Sequence, residues 1–154
     1  MQAPGKPGIE PTWTSSAKDT VGCSLASSRL WFTTGYGIVN EVYCPRVDIP
    51  QIRDLGFIVA DGQGFWVEVK RLETRQTRLA QAGVPAVEIV HTHPRFELRL
   101  RIAPDPLREV LLIDVLLQGD GGLFPYALLA PHLGGSGYDN LAETTAALQG
   151  YVDQ

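Results

Sequence analysis

Charged side chains are scarce in this chain, and no long apolar run occurs anywhere in its 154 residues. Only 19% of the residues are Asp, Glu, Lys or Arg, and the formal net charge is −4. A protein that binds the phosphate backbone needs a dense basic face, so this composition argues against a nucleic-acid partner. A membrane helix needs roughly 20 consecutive apolar residues. We therefore expect no membrane partner either.

Cysteine and histidine are also rare, with two and three residues respectively. Cys23 and Cys44 are too few for a zinc cluster, and such cysteines are more often free and buried than paired. His91 and His93 share one face of a predicted strand, whereas His132 is distant in the sequence. Because a zinc site takes three or four protein ligands, we expect structural roles for this pair, no metal and no other cofactor.

The amino-terminal residues 1–11 carry one Lys and no apolar stretch, so they do not form a signal peptide. As written, the sequence predicts a cytoplasmic protein. A periplasmic or secreted location is expected if a leader was removed.

Glycine and proline, with 16 and 11 residues, separate many short apolar runs. Short apolar runs separated by turn-forming residues are typical of all-β domains. The clearest strand is residues 95–102, where Phe96, Leu98, Leu100 and Ile102 alternate with charged residues. About eight such runs and no helix before residue 140 predict an all-β fold, with two antiparallel sheets packed face to face.

Two further strand predictions state which side chains are exposed and which are buried. Residues 55–70 are expected to form a hairpin around the turn at 61–64, with Trp66 on its polar face. Residues 109–118 form a nearly continuous apolar run, which predicts a strand buried on both faces.

The chain divides into three predicted parts. Residues 1–20 are irregular, residues 21–133 form the sandwich, and residues 134–154 form a glycine-rich connector with a short helix. Asn140 and Glu143 have the spacing of a helix capping box.

The segment between two predicted strands, residues 40–57, is unusually rich in ion-pairing groups. Two interpretations stay open: a structural loop held by its own ion pairs, or a rigid surface that contacts something else. Among the tryptophans, Trp31 is expected in the core, and Trp13 and Trp66 at the surface, where they would contact a carbohydrate or a protein. The candidates for a domain interface or substrate wall are Trp13, Tyr43, Arg46, Asp48, Arg53, Asp54 and Trp66.

No catalytic pattern stands out. With 17 acidic residues, a carboxylate pair at glycosidase spacing is inevitable and uninformative. Nucleophile-elbow and phosphate-loop patterns are both missing.

Four segments in order, residues 7–19, 40–62, 91–117 and 129–133, resemble bacterial glucoamylase and glucodextranase-type enzymes, glycoside hydrolase family fifteen. The resemblance implies an N-terminal supersandwich, similar to that of galactose mutarotases and other aldose epimerases. In that family an (α/α)₆ barrel follows and holds the two catalytic glutamates of an inverting α-glucan hydrolase. The resemblance further implies that this chain stops inside an incomplete sandwich, truncated before the barrel, and contains no catalytic residue.

Three functional hypotheses follow. The first is an accessory N-terminal sandwich domain of a glucoamylase-like exo-hydrolase, with the catalytic barrel as partner and a possible contact to α-glucan. The alternative is a free-standing carbohydrate-binding or protein-interaction module. The third is a sugar-ring enzyme of the epimerase type that uses His91 and His93, although no accompanying glutamate base is identifiable.

Overall fold

The computed structural model describes residues 17–136, 140, 142–145 and 150–153. These residues form twelve strands and two short 3₁₀ turns, at Val69–Arg71 and Leu133–Gly135. In chain order the strands are β1 (Thr20–Cys23), β2 (Trp31–Gly35), β3 (Ile38–Tyr43), β4 (Pro50–Ala60), β5 (Trp66–Glu68), β6 (Arg75–Leu79), β7 (Val87–His93), β8 (Phe96–Pro104), β9 (Leu111–Gly119), β10 (Phe124–Pro131), β11 (Ala142–Thr145) and β12 (Gly150–Asp153).

Ten of these strands form two antiparallel sheets. The first sheet has the order β1-β2-β3-β4-β10, and β5 pairs with the end of β4. The second sheet has the order β6-β7-β8-β9. Buried apolar residues of both sheets, among them Phe32 and Val59 of the first and Ile89 and Leu100 of the second, form one core. The fold is therefore an antiparallel β-sandwich, as the sequence predicts.

The alternation in β8 is confirmed by the structure. Its apolar residues face the core and are at most 3% exposed, whereas the residues between them point outward. The hairpin that joins β4 to β5 is also confirmed, and the Asp61 carboxylate accepts hydrogen bonds from the Gln63 and Phe65 amides at 2.8 and 3.0 Å. This side chain closes the turn in the way that aspartate commonly does.

Three predictions are wrong. Residues 109–118 are not buried on both faces, because β9 is the last strand of its sheet and alternates between half-buried and exposed positions. Trp31 is 39% exposed instead of buried. The C-terminal helix is replaced by β11 and β12, which pair with each other antiparallel. Thr144, Thr145, Tyr151 and Val152 favour strands by their branched or aromatic side chains, and this outweighs the capping pattern.

No helix within the described ranges is long and apolar enough to cross a membrane.

Candidate functional site

The segment that connects β3 to β4 is shorter than predicted. Arg46 and Asp48 lie in it and pair with each other, with Arg46 Nε 2.9 Å from Asp48 Oδ1 and a second contact through Nη2. Their side chains are 69% and 59% exposed. The hydrogen bond from Arg46 lowers the pKa of Asp48. The predicted ion pair is present, but solvent surrounds it, and exposed pairs of this kind contribute little to stability.

Arg53 and Asp54 do not belong to this connection, because both lie within β4. Arg53 Nε lies 3.6 Å from Glu41 Oε1 of the neighbouring strand β3. Asp54 Oδ2 lies 3.0 Å from Lys70 Nζ. The expectation of one continuous charged loop is therefore corrected: the structure places its charges in three separate groups.

Glu41 is the centre of one of these groups. Its carboxylate accepts a hydrogen bond from Tyr43 Oη, and it lies 2.6 Å from Lys18 Nζ and 3.6 Å from Arg53 Nε. Burial alone would raise the pKa of Glu41, but the hydrogen bonds from Lys18 and Tyr43 outweigh it and lower that pKa. Burial and the bond to Glu41 together raise the pKa of Tyr43 to about 12. Tyr43 therefore remains a neutral hydrogen-bond donor at physiological pH.

Asp54 belongs to a second group that is largely shielded from solvent. The side chains of Asp54 and Lys70 are 12% and 13% exposed. Lys70 Nζ also lies 3.6 Å from Glu68, whose carboxylate accepts a hydrogen bond from Arg71 Nε at 2.6 Å. Each charge in this group faces an opposite one, so the group fixes the 3₁₀ turn at Val69–Arg71 to strands β4 and β5.

The tryptophans do not converge on one site. Trp66 is 51% exposed, as the hairpin pattern predicts. Trp31 lies opposite Tyr43 in the first sheet. Trp13 lies outside the described residues.

Two exposed edge strands are the largest feature that the sequence patterns missed. β9 ends the second sheet and β10 ends the first, and residues 120–123 connect them, so the two edge strands adjoin at this turn. Leu112 and Leu116 are exposed on the outer face of the second sheet, and Phe124 and Tyr126 on the outer face of the first. Leu129 of β10 is exposed as well. Unpaired apolar edges are rare in finished sheets because they invite pairing.

A cleft of about 290 Å³ opens between the sheets near these edges. Its walls are mainly aliphatic, with Val42 and Ile52 from the first sheet and Leu111 and Ile113 from β9. Cys44 lies at its border, and burial, followed by the nearby Glu109, raises the pKa of this thiol. Cys44 and Cys23 are both free, as expected, but both are partly exposed instead of buried.

His91 lies in the core between the sheets and has no exposed surface. Its Nε2 donates a hydrogen bond to the Gly37 carbonyl at 2.7 Å, which joins β7 to the β2–β3 hairpin tip. Gly37 has a φ of 76°, and a Cβ there would lie 2.3 Å from the His91 ring, so only glycine fits. Burial, opposed only in part by this hydrogen bond, lowers the pKa of His91.

His93 packs between aromatic rings, with its ring centre 5.6 Å from that of Phe65 and 4.8 Å from that of Phe96. Its Nδ1 accepts a hydrogen bond from the Arg95 amide at 3.1 Å. Among the residues that the structure describes, no group of three His, Cys, Asp or Glu side chains is arranged to hold a metal ion. Both histidines thus have structural contacts, which gives the epimerase hypothesis no support.

The outer face of the second sheet carries a further ion-pair group. The Glu88 carboxylate is almost fully buried beneath Arg78, Arg99 and Arg101, with its Oε2 3.2 Å from Arg101 Nε. The hydrogen bonds from Arg78 and Arg101 lower the pKa of Glu88. These side chains join β6, β7 and β8 across the sheet.

The fold and these surfaces define an antiparallel β-sandwich domain. The chain belongs to the family described as glucodextranase, domain N, whose model matches residues 3–152. The resemblance noted in the sequence is thereby confirmed.

Two relatives extend this assignment. A glucoamylase from Clostridium sp. (strain G0005) is 28% identical over 148 residues, which is 91% of this chain. The crystal structure of a bacterial glucoamylase complexed with acarbose superposes with a TM-score of 0.81 at 26% identity, over 92% of this chain. The matched parts amount to 21% and 22% of those proteins. The chain therefore corresponds to the N-terminal domain of glucoamylase-like enzymes and spans about a fifth of the length of these relatives.

Proposed function

We propose that this chain is the accessory N-terminal sandwich of a glucoamylase-like α-glucan exo-hydrolase, and that it supports an (α/α)₆ catalytic barrel. The observation that carries the proposal is the family match over residues 3–152, together with relatives that are glucoamylases about five times as long. In such an enzyme the acid and base carboxylates belong to the barrel, and the sandwich stabilises and positions it.

The exposed edges of β9 and β10 support this role. Apolar side chains such as Leu112, Leu116 and Leu129 lie in solvent here, although most soluble domains protect edge strands with charge, proline or a covering element. A larger enzyme would cover this side with further strands or with its neighbouring domain. The adjacent aliphatic cleft gives such an element a place to insert side chains.

The proposal is tested by association with a catalytic barrel. The DNA around the coding region is sequenced for an (α/α)₆-barrel reading frame, and that barrel is produced separately and mixed with the chain. We expect the two proteins to co-elute in size-exclusion chromatography. Introducing charge on the edge by Leu116→Lys should weaken this association, whereas Leu107→Lys, at an exposed residue outside the strands, serves as the control.

The contrary result is also clear. If the locus encodes no barrel and the chain binds no glucoamylase barrel, the accessory role is wrong. The alternative of a free-standing carbohydrate-binding module would then be favoured, since Trp66, Phe124 and Tyr126 are exposed together.

A further inference from the structure

Three aromatic side chains, Trp66, Phe124 and Tyr126, form a patch on the outer face of the first sheet, here called the aromatic patch. Trp66 pairs with Ala60 of β4, and Ala60 pairs on its other side with Phe124. Tyr126 occupies the next outward position, opposite Ile58. Directly opposed residues of a sheet point to the same face. Since Val59 is fully buried in the core, its neighbours in β4 point outward with the patch.

The spacing of the aromatic patch follows from sheet geometry. Neighbouring strands lie about 4.8 Å apart, so the backbones at Trp66 and Phe124 are roughly 10 Å apart, with the small Ala60 between them. Phe124 and Tyr126 follow each other on one face at about 7 Å. The three rings therefore flank β4 on one face of the sheet, and they are held on strands, which position side chains more rigidly than loops do.

The aromatic patch differs from the single exposed apolar residues that most protein surfaces carry. Trp66, Phe124 and Tyr126 are 51%, 57% and 51% exposed. Single exposed apolar residues are normal, but contiguous ones mark a binding surface. Glu68 follows Trp66 on the same face of β5 but is buried, and its carboxylate accepts a hydrogen bond from Arg71 Nε at 2.6 Å. The Arg71 side chain itself is 53% exposed, so it is the polar group near Trp66 that solvent or a ligand can reach.

We propose that the aromatic patch is a binding site for a linear α-glucan, with the rings stacked on the apolar faces of successive glucose units. Aromatic side chains offer a flat apolar surface to such faces. The half-exposed Arg71 side chain, five residues after Trp66, can donate hydrogen bonds to sugar hydroxyls. The choice of an α-linked glucan rests on the proposed function, whereas the position of the site rests on the geometry of the sheet.

Size and charge favour a neutral oligosaccharide over a protein partner. Three half-exposed aromatic side chains offer roughly 300 Å², since each buries about 150–250 Å² when fully covered. A stable protein interface takes about 800 Å² from each partner. The nearby charges of Asp54, Glu68, Lys70 and Arg71 are paired with one another and sum to zero, so this group adds no net charge that would attract a charged ligand.

The test is isothermal titration calorimetry of the 154-residue chain with maltoheptaose, an α-1,4-linked glucan of seven units, and with cellohexaose, its β-linked counterpart. Trp66→Ala and Phe124→Ala should each raise the Kd for maltoheptaose at least about fivefold, as expected when a central aromatic contact is truncated. Trp31→Ala is the matched control, because Trp31 is also exposed on the first sheet but lies in β2. This control should leave the Kd unchanged.

Several results would overturn the inference. These are absence of binding at millimolar maltoheptaose, equal weakening by Trp31→Ala, or unchanged binding in both patch variants that fold normally by circular dichroism. Equal affinity for cellohexaose would overturn the α-glucan assignment. Self-association that is lost in Trp66→Ala, without sugar binding, would identify a protein contact instead. Because no barrel is needed, failure here is distinguishable from failure of the proposed accessory role.

Discussion

At the scale of single residues, His91 connects the two sheets through one hydrogen bond to Gly37 and makes folding sensitive to pH. Its pKa in the folded state is lowered by burial and by Arg75 from the ordinary value of 6.5. Below pH 6.5, His91 binds a proton in the unfolded chain, whereas in the folded chain it stays neutral until the pH reaches its lower pKa. The stability contributed by neutral His91 is therefore complete above pH 6.5 and is lost as the pH falls toward the folded-state pKa.

We expect the free energy of unfolding to fall between pH 7 and pH 5, by up to about 1.4 kcal/mol per pH unit from this group alone. The measurement is urea unfolding at a series of pH values. His91→Gln should be less stable at pH 7 and should show a smaller decline toward pH 5. His132→Gln is the control, and a decline identical in His91→Gln and in the unaltered chain would show that His91 does not cause it.

Truncating Asp54 and truncating Arg46 to alanine should have very different effects on stability. Asp54→Ala leaves Lys70 shielded from solvent with Glu68 at 3.6 Å as a weaker partner. We expect a loss of about 2–3 kcal/mol in the free energy of unfolding, less than the roughly 3–5 kcal/mol of a fully buried pair because Glu68 still faces Lys70. Arg46→Ala removes a pair in solvent and should leave Tm unchanged. Thermal unfolding followed by circular dichroism compares the two, and equal effects would contradict the assigned difference in burial.

At the scale of elements, β9 and β10 are edge strands that carry exposed apolar residues. Leu112 and Leu116 are about half exposed, so replacing both by lysine removes little packing and adds charge to the edge. We expect Leu112→Lys/Leu116→Lys to reduce concentration-dependent association without lowering Tm, as measured by sedimentation velocity. Leu98→Ala, at a fully buried residue, should instead cost about 2–5 kcal/mol. If the lysine variant associates as strongly as the unaltered chain, the edges are not the contact.

Strands with one buried face were predictable from the sequence, because burial on one side imposes a period of two, as Phe96 to Ile102 show. The position of a strand within its sheet was not predictable in this way. The apolar run 109–118 has the composition of a central strand, yet β9 is an edge. Such an apolar run does not distinguish a strand that is covered within its own domain from one whose exposed face contacts another molecule or domain.

The candidate site was predictable only in part. Trp66 and the Arg46–Asp48 pair follow from local pattern, and the structure contains both as expected. The partners of Arg53 and Asp54 come from β3 and from the 3₁₀ turn after β5, which sequence proximity does not indicate. Phe124 and Tyr126 were missed because the largely apolar sequence of β10 does not indicate which of its faces is left uncovered.

At the scale of the whole molecule, two antiparallel sheets pack around one core in the described part of the chain. We expect the purified chain to release no glucose from maltose or dextran, since glycoside hydrolysis needs an acid and a base carboxylate held across the bond. A coupled glucose assay checks this. Release that is abolished by substituting an acidic residue of this chain would show a catalytic centre within it.

The central claim is that this sandwich supports a catalytic barrel, and heat inactivation of the barrel tests it most directly. A glucoamylase (α/α)₆ barrel is held at a temperature near its Tm with and without an excess of the chain, and residual glucose release is measured over time. A partner that binds only the folded barrel stabilises it by mass action. The account predicts a longer half-life with the chain present and a smaller gain with Leu112→Lys/Leu116→Lys. Equal half-lives with and without the chain would contradict it.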